Sequence, residues 1–249
     1  LSYREIIEVH PELRRFVLCY WHIRAEGDQF TFRHLPKVQN LIVWNRGGVV
    51  WVDSHAVNEK LFVLTPQTVA QEVKAPRANL YGVSFVNDGL FRLTNLPGAG
   101  LLPEGLKQTL ETLTFYSLES FSIALRKKML STMNFEDTPC SRAMDHILRT
   151  KGCETLSQVY HECGVSERTF QRFCKLRIGL SPKQLVTLTR INYYLEEVLE
   201  KPEINWMEIV VKHAYYDQSH LIHEFKRFAR MSPTQLKHER DTLYHHIMS

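Results

Sequence analysis

The 249-residue sequence is marked first by what it lacks. Its five cysteines, Cys19, Cys140, Cys153, Cys163 and Cys174, form no CxxC pair and are odd in number. That argues against a disulfide framework and against a zinc knuckle, and leaves reduced, mostly buried thiols as the expectation. No window nears the roughly 18 apolar residues of a membrane span, and no charged segment followed by an apolar core opens the chain, so no membrane partner and a cytoplasmic location are expected. The chain begins at Leu1 instead of Met, and a start upstream is expected. Charge of one sign is also scarce: a net +4 is too small to announce a polyanionic partner, so the positions of the cations have to carry that argument. Paired carboxylates, a nucleophile elbow and a phosphate loop are missing from any context that fits them, which removes the grounds for reading an enzyme.

The length leaves room for two domains with separate cores. From Leu13 to about Val86 the texture is that of strands. The runs 16–23, 40–44, 49–52, 61–64 and 80–85 are short, rich in β-branched and aromatic residues, and divided by turn formers. Gly47-Gly48 between two of them reads as a hairpin signal. Strands at this spacing predict a small barrel or sandwich, which could enclose a ligand lined by Trp21, Trp44, Trp51 and Tyr81, although aromatics on strands more often form the core. His22, His34 and His55 invite a metal of the cupin kind. Without an HxH pair followed by a carboxylate they read as scattered polar histidines, and no metal or other cofactor is expected.

After Asn87 the pattern turns helical. A short helical turn at 88–93, a loop at 96–100 and a helix from Pro103 through Leu113 are predicted. The segment 117–133 sets Leu118, Phe121, Leu125, Met129 and Leu130 on one stripe, suited either to packing on its own domain or to pairing with a second copy of the chain. The polar stretch Asn134-Phe135-Glu136-Asp137-Thr138-Pro139 breaks the periodicity and divides a β-rich module, residues 1–134, from a helical domain, residues 140–249.

The helical half contains an internal repeat. Thr155 and Gln158 make a capping box, Gly164 falls where a sharp turn needs a positive φ, and Ser166 is placed to cap the next helix. On that helix Phe170, Phe173 and Cys174 share one face, while Arg168, Gln171, Arg172 and Lys175 share another. Ser181-Pro182-Lys183-Gln184-Leu185 recurs as Ser232-Pro233-Thr234-Gln235-Leu236, and the first box recurs as Asn205 and Glu208. In the second unit a turn falls at 214–216, Asp217 takes the cap position, and Leu221, Phe225 and Phe228 form the buried stripe. Ser219, His223 and Lys226 then stand where the first unit has Arg168, Arg172 and Lys175, with Gln218, His220 and Arg227 beside them. Residues 182–200 read as one amphipathic helix that would set the distance between the two units.

This combination resembles the DNA-binding domain of the AraC/XylS family of bacterial transcription regulators, over roughly residues 145–240. The resemblance rests on the paired motifs, the spacing helix, Gly179-Leu180-Ser181-Pro182, and Tyr216-Asp217-Gln218-Ser219-His220 followed by Phe225-Lys226. The N-terminal half is similar, more loosely, to the β-rich modules that precede this domain in the family. The resemblance implies seven helices, with both recognition helices in successive major-groove segments of double-stranded DNA. The expected fold is therefore α+β: a small β-barrel or cupin-like module with following helices, then an all-α domain of two helix-turn-helix motifs joined by a linker helix.

Arg168 and Arg172 suit guanine O6 and N7, and Gln171 suits adenine N6 and N7, while Lys175, Lys226 and Arg227 suit phosphate. Ile222 could meet a thymine methyl, with core packing the plainer role. Asp217, His220 and His223 at i, i+3, i+6 could instead hold a metal, a reading that the position in the repeat disfavours. Two departures from the first unit stand out: Ala214 replaces Gly164, and Arg230 replaces Gly179. The sequence thus predicts a regulator that binds specific DNA sites, with RNA polymerase as a candidate partner and the direction of regulation left open. Its N-terminal module would sense a small-molecule effector or form a homodimer, or, alternatively, be controlled by a protein partner.

Overall fold

A computed structural model describes residues 2–27, 30–96, 102–200, 206–212 and 215–238. Among the described residues, nine strands make two antiparallel sheets. The first contains β1 (Ser2–Ile7), β2 (Val17–Arg24), β4 (Asn40–Asn45), β7 (Leu61–Leu64) and β9 (Asn79–Phe85), in the order β1-β2-β9-β4-β7. The second contains β3 (Thr31–His34), β5 (Val50–Val52), β6 (His55–Val57) and β8 (Gln71–Lys74), in the order β3-β8-β5-β6. Trp21, Ile23, Leu41 and Val43 of the first sheet meet Val50 and Val73 of the second in one buried layer. Gly82 on β9 leaves the space that Trp21 fills, since a Cβ there would lie 2.0 Å from the indole.

Gly47-Gly48 is not a hairpin turn. β4 pairs with β7 and β9, and β5 with β6 and β8, so this segment carries the chain from one sheet to the other. Both glycines are needed for close approach: a Cβ would meet Arg77 O at 2.4 Å from Gly47 and Pro76 O at 2.7 Å from Gly48.

The outer face of the first sheet is covered by helix. α1 (Gly89–Thr94) and α2 (Glu104–Glu111) lead to α3 (Leu118–Thr132), which starts at a capping box between Ser117 and Ser120. The predicted loop at 96–100 lies mostly outside the described residues. The α3 stripe of Leu118, Phe121, Leu125 and Met129 is buried against Tyr20, Trp44 and Tyr81 of its own sheet. Phe121 sits 5.0 Å from Trp44 and 4.7 Å from Phe115, ring centre to ring centre. That packing takes up the face that could have paired with a second copy.

Seven helices follow among the described residues: α4 (Pro139–Arg149), α5 (Leu156–Cys163), α6 (Glu167–Arg177), α7 (Pro182–Glu200), α8 (Trp206–Lys212), α9 (Gln218–Ala229) and α10 (Pro233–His238). Thr138 caps α4 with Pro139 in its first turn. The core of α4 to α10 is continuous, and Leu35, Val38 and Ala70 from the β-rich half belong to it. No helix among the described residues is long and apolar enough to cross a membrane.

Candidate nucleic-acid interface

Local chemistry builds the first helix pair as the sequence predicts. The Thr155 hydroxyl accepts from Gln158 N while the Gln158 side chain accepts from Thr155 N, closing both ends of the box. Gly164 ends α5 at φ 62°, where glycine alone carries no steric penalty, and Ser166 caps α6 by accepting from Thr169 N at 3.2 Å. Phe170, Phe173 and Cys174 then bury one face of α6. Ser166, Arg168, Gln171, Arg172 and Lys175 are all exposed on the other. The Gln171 amide is held by Glu167 at 2.9 Å, which orients it along the helix.

The second pair repeats the plan on α8 and α9. Asp217 caps α9 by accepting from His220 N at 2.7 Å, and Leu221, Phe225 and Phe228 face inward. Gln218, Ser219, His220, His223, Lys226 and Arg227 are exposed. The His220 ring rests edge-on against Tyr215, and Asp217 is engaged at the cap, so both have structural roles on this face. Ile222 is partly buried against the core, the packing role foreseen for it. Asn205 and Ala214 lie outside the described residues. Between the pairs, α7 is tied to the second by Arg190 to Glu224 at 3.4 Å and by Tyr194 packing on Phe225 at 5.5 Å.

One cluster in this half has the composition of a metal site. His146 Nε2 lies 2.6 Å from Glu154 Oε2 and 3.4 Å from Glu162 Oε2. However, Arg149 Nη2 donates to His146 Nδ1 at 2.9 Å, so the ring proton sits on Nε2 and points at the carboxylates. A cation on Nε2 would force a proton onto Nδ1 against the guanidinium. The cluster fits a hydrogen-bonded brace between α4 and α5.

Two further features bear on the site, and the sequence pointed only to the second of them. The first is a buried ion cluster between the halves. Asp88, 1% exposed, accepts from Arg92 Nε and Arg177 Nη1, each at 2.8 Å. Arg92 also donates to Asn134 O, Glu136 O and Ser141 Oγ, pinning the 134–139 segment. Arg177, in the last turn of α6, stacks over Phe91 at 4.5 Å and so faces the β-rich half.

The second is a cavity of about 220 Å³ between the two sheets. Of the aromatics proposed to line it, only Trp21 does. Trp44 and Tyr81 pack under α3, and Trp51 is 41% exposed on the outside. Ile23, Leu41, Val43, Phe62 and Leu80 make most of the wall, with Arg33, His34 and Lys37 along one side and the Tyr3–Glu5 hydrogen bond, 2.7 Å, on another. The half-buried His34 ring faces this space. Burial, and secondarily the Lys37 ammonium, pushes its pKa down to about 4, so it is neutral near pH 7. Burial pushes the Cys19 thiol up to about 11. Of the other two candidate metal histidines, His22 stacks on Tyr81 and bonds Asn79, and His55 is exposed.

The family described as "Helix-turn-helix domain" matches residues 160–239. No curated protein sequence matches the chain. Among solved structures, ToxT from Vibrio cholerae strain SCE256 with bound unsaturated fatty acid is similar at a TM-score of 0.51 and 10% identity, covering 96% of this chain and 99% of that one. ToxT from Vibrio cholerae O395, bound to (E)-4-(8-methylnaphthalen-1-yl)but-3-enoic acid, has a TM-score of 0.50 and 11% identity, covering 96% and 100%. The C-terminal domain of AraT, a response regulator from Geobacillus stearothermophilus, is 26% identical over 41% of this chain and 85% of its own, with a TM-score of 0.37. The ToxT likenesses extend over both halves and identify a shared two-part fold. With two capped helix pairs presenting polar faces, the C-terminal part of this chain is a DNA-binding helix-turn-helix domain of AraC type.

Proposed function

We propose that α6 reads bases and that the β-rich half senses a small amphipathic effector in its cavity. The observation that carries the second part is the cavity itself. About 220 Å³ far exceeds the roughly 30 Å³ share of one water, and its walls are mostly apolar with cations on one side. Arg33 and Lys37 suit an acid group, while neutral His34 can donate or accept a hydrogen bond. The ToxT structures with bound unsaturated fatty acid and bound naphthyl butenoic acid support an apolar carboxylate as the ligand class. β3 and the turn after it supply both cavity wall, at Phe32, His34 and Leu35, and contact with the helical core, at Leu35 and Val38. A ligand that shifts this wall therefore acts on the DNA-binding half directly.

On the DNA side, Arg168, Gln171 and Arg172 are assigned to base edges, with Ser166 helping to place the helix start. Lys175, Lys226 and Arg227 are assigned to phosphate. Gln218, Ser219, His220 and His223 form a second, less cationic reading face. The test is a thermal shift with a panel of fatty acids. Stabilisation that is lost in Arg33→Ala with Lys37→Ala supports the assignment; no shift with any acid removes it. Exposed Ile7, Val9 and Leu18 favour a second reading, control by a protein partner at the first sheet. Partner capture that survives filling the cavity but fails on Val9→Asp would select that reading.

A further inference from the structure

We propose that the β-rich half acts as a splint that sets the spacing and angle between the two recognition helices. It would hold the end of α6 at Asp88 and Phe91 and the end of α9 at Asp53 and Ala70. The proposal rests on the reading of α6 and α9 as the DNA-contacting helices.

Four contacts place the splint. Arg177, in the last turn of α6, donates to buried Asp88 and lies over Phe91. At the end of α9, Ala70 N donates to Phe228 O at 2.7 Å, and Arg230 Nη1 lies 3.5 Å from Asp53 Oδ1. Asp88 lies just beyond the end of β9, Asp53 just beyond β5 and Ala70 just before β8, and the two sheets share one buried layer. One packed body therefore touches both recognition helices, and touches each at its C-terminal end. The reading faces stay exposed, from Arg168 to Lys175 and from Gln218 to Arg227 where these point outward. The half is thus placed to orient the helices without covering them.

Without this body, α7 would be the principal link between the units. At 19 residues it is about 28 Å long, and helices of that length curve. A second connection, made away from α7, resists that curvature.

The repeat explains why Arg230 departs from its counterpart. Gly179 and Arg230 occupy equivalent positions, both left-handed, at φ 87° and 59°. Glycine is the unstrained choice in the first unit. The second unit carries an arginine there, and its guanidinium reaches Asp53, which is itself left-handed at φ 44°. Strained residues persist where the surroundings determine them, and here they meet across the two halves.

On DNA, one inserted base pair moves the second half-site by about 3.4 Å and turns it by roughly 35°. A splinted pair of helices cannot follow that change, whereas a pair linked by α7 alone can in part. The experiment takes the full-length protein through selection from random duplexes, then measures affinity for the selected site and for versions with one base pair added or removed between its halves. Two variants follow: Asp53→Gly with Phe91→Ala, which alters no reading residue, and Arg230→Gly, which relieves a left-handed strain and so keeps the test open if the double variant fails to fold.

The splint predicts near wild-type affinity at the selected spacing and a discrimination against altered spacing that falls roughly 2- to 30-fold. Unchanged discrimination in the folded variants overturns it. So does a gain in affinity at every spacing, which would mark the contacts as a restraint on DNA binding. If the wild-type protein enriches no sequence, the DNA reading itself fails and the splint falls with it.

Discussion

Arg168, Arg172 and Arg177 are the same chemical group on one eleven-residue helix, and the structure gives them different tasks. The first two are exposed beside Gln171; the third is drawn back to Asp88. On the proposed reading, Arg172→Ala weakens binding to the selected site by about 1–3 kcal/mol and relaxes preference at one base pair. Lys175→Ala instead weakens all sequences alike and lowers the salt slope by about 1. Equilibrium titrations on selected and scrambled duplexes at several salt concentrations check both, and equal losses on both duplexes for Arg172→Ala would remove it from base reading. The exposed set was legible because helical periodicity separates it from Phe170, Phe173 and Cys174. The partner of Arg177 was not, because it lies 89 residues away and no local pattern connects the two. His34 supplies a test of a different kind. Its folded pKa of about 4 lies below the ordinary value near 6.5, so between these limits the unfolded chain holds more protons. Its contribution to stability is complete above about pH 6.5 and is lost as pH falls toward 4. Denaturant melts of His34→Phe against wild type should therefore coincide above about pH 6.5 and diverge most toward pH 4, with the variant the more stable there, provided Phe packs as well as the neutral ring.

At the scale of elements, the two glycines that close helices in the DNA-binding half separate backbone strain from crowding. Gly164, at φ 62°, has open space where a Cβ would go. Gly152, at φ 68°, would place a Cβ 2.6 Å from Val186 O. Gly164→Ala should therefore cost only the left-handed penalty of about 1–2 kcal/mol, and Gly152→Ala distinctly more because α4 and α7 must also separate. Urea midpoints at constant slope measure the difference, and equal losses would show that α7 yields easily at this point. Caps and turn residues of this kind act within a few positions, which is why α5, α6, α9 and both Ser-Pro starts were legible with their boundaries nearly correct. The central strands of the first sheet were legible as apolar, β-branched runs. β1, β3, β6 and β8 escaped because they are short or alternate with charged residues, as in Gln71-Glu72-Val73-Lys74. Their strand character comes from cross-sheet partners, and with them went the polar side of the cavity. The Gly47-Gly48 segment misled for a related reason: two glycines signal either a turn or a close approach, and only the sheet assignments of β4 and β5 decide which.

At the scale of the molecule, the division at 134–139 is a break in the chain's pattern more than a gap in its packing. Leu35, Val38 and Ala70 complete the helical core, and Arg92 draws four groups together: the Asp88 carboxylate, two carbonyls of the connecting segment and the Ser141 hydroxyl at the start of α4. Arg15 adds ion pairs to Asp137 and Asp145 from the β-rich side. Surfaces joined by buried charge come apart reluctantly, since separating them leaves Asp88 and Arg92 to find new partners or water. The two halves should therefore unfold together, in one calorimetric transition whose measured enthalpy matches the van't Hoff value. Arg92→Ala removes the shared hub and leaves Asp88 with Arg177 alone. Breaking such a buried pair costs about 3–5 kcal/mol, a large part of a typical domain's stability. The loss should fall mainly on the β-rich half and divide the single transition into two, the lower one belonging to residues that report on Trp21 and Trp44. A single transition that merely shifts to lower temperature would show that the apolar contacts of Leu35, Val38 and Ala70 suffice to couple the halves. Two transitions already present in the wild-type protein would show that they unfold separately despite the shared core.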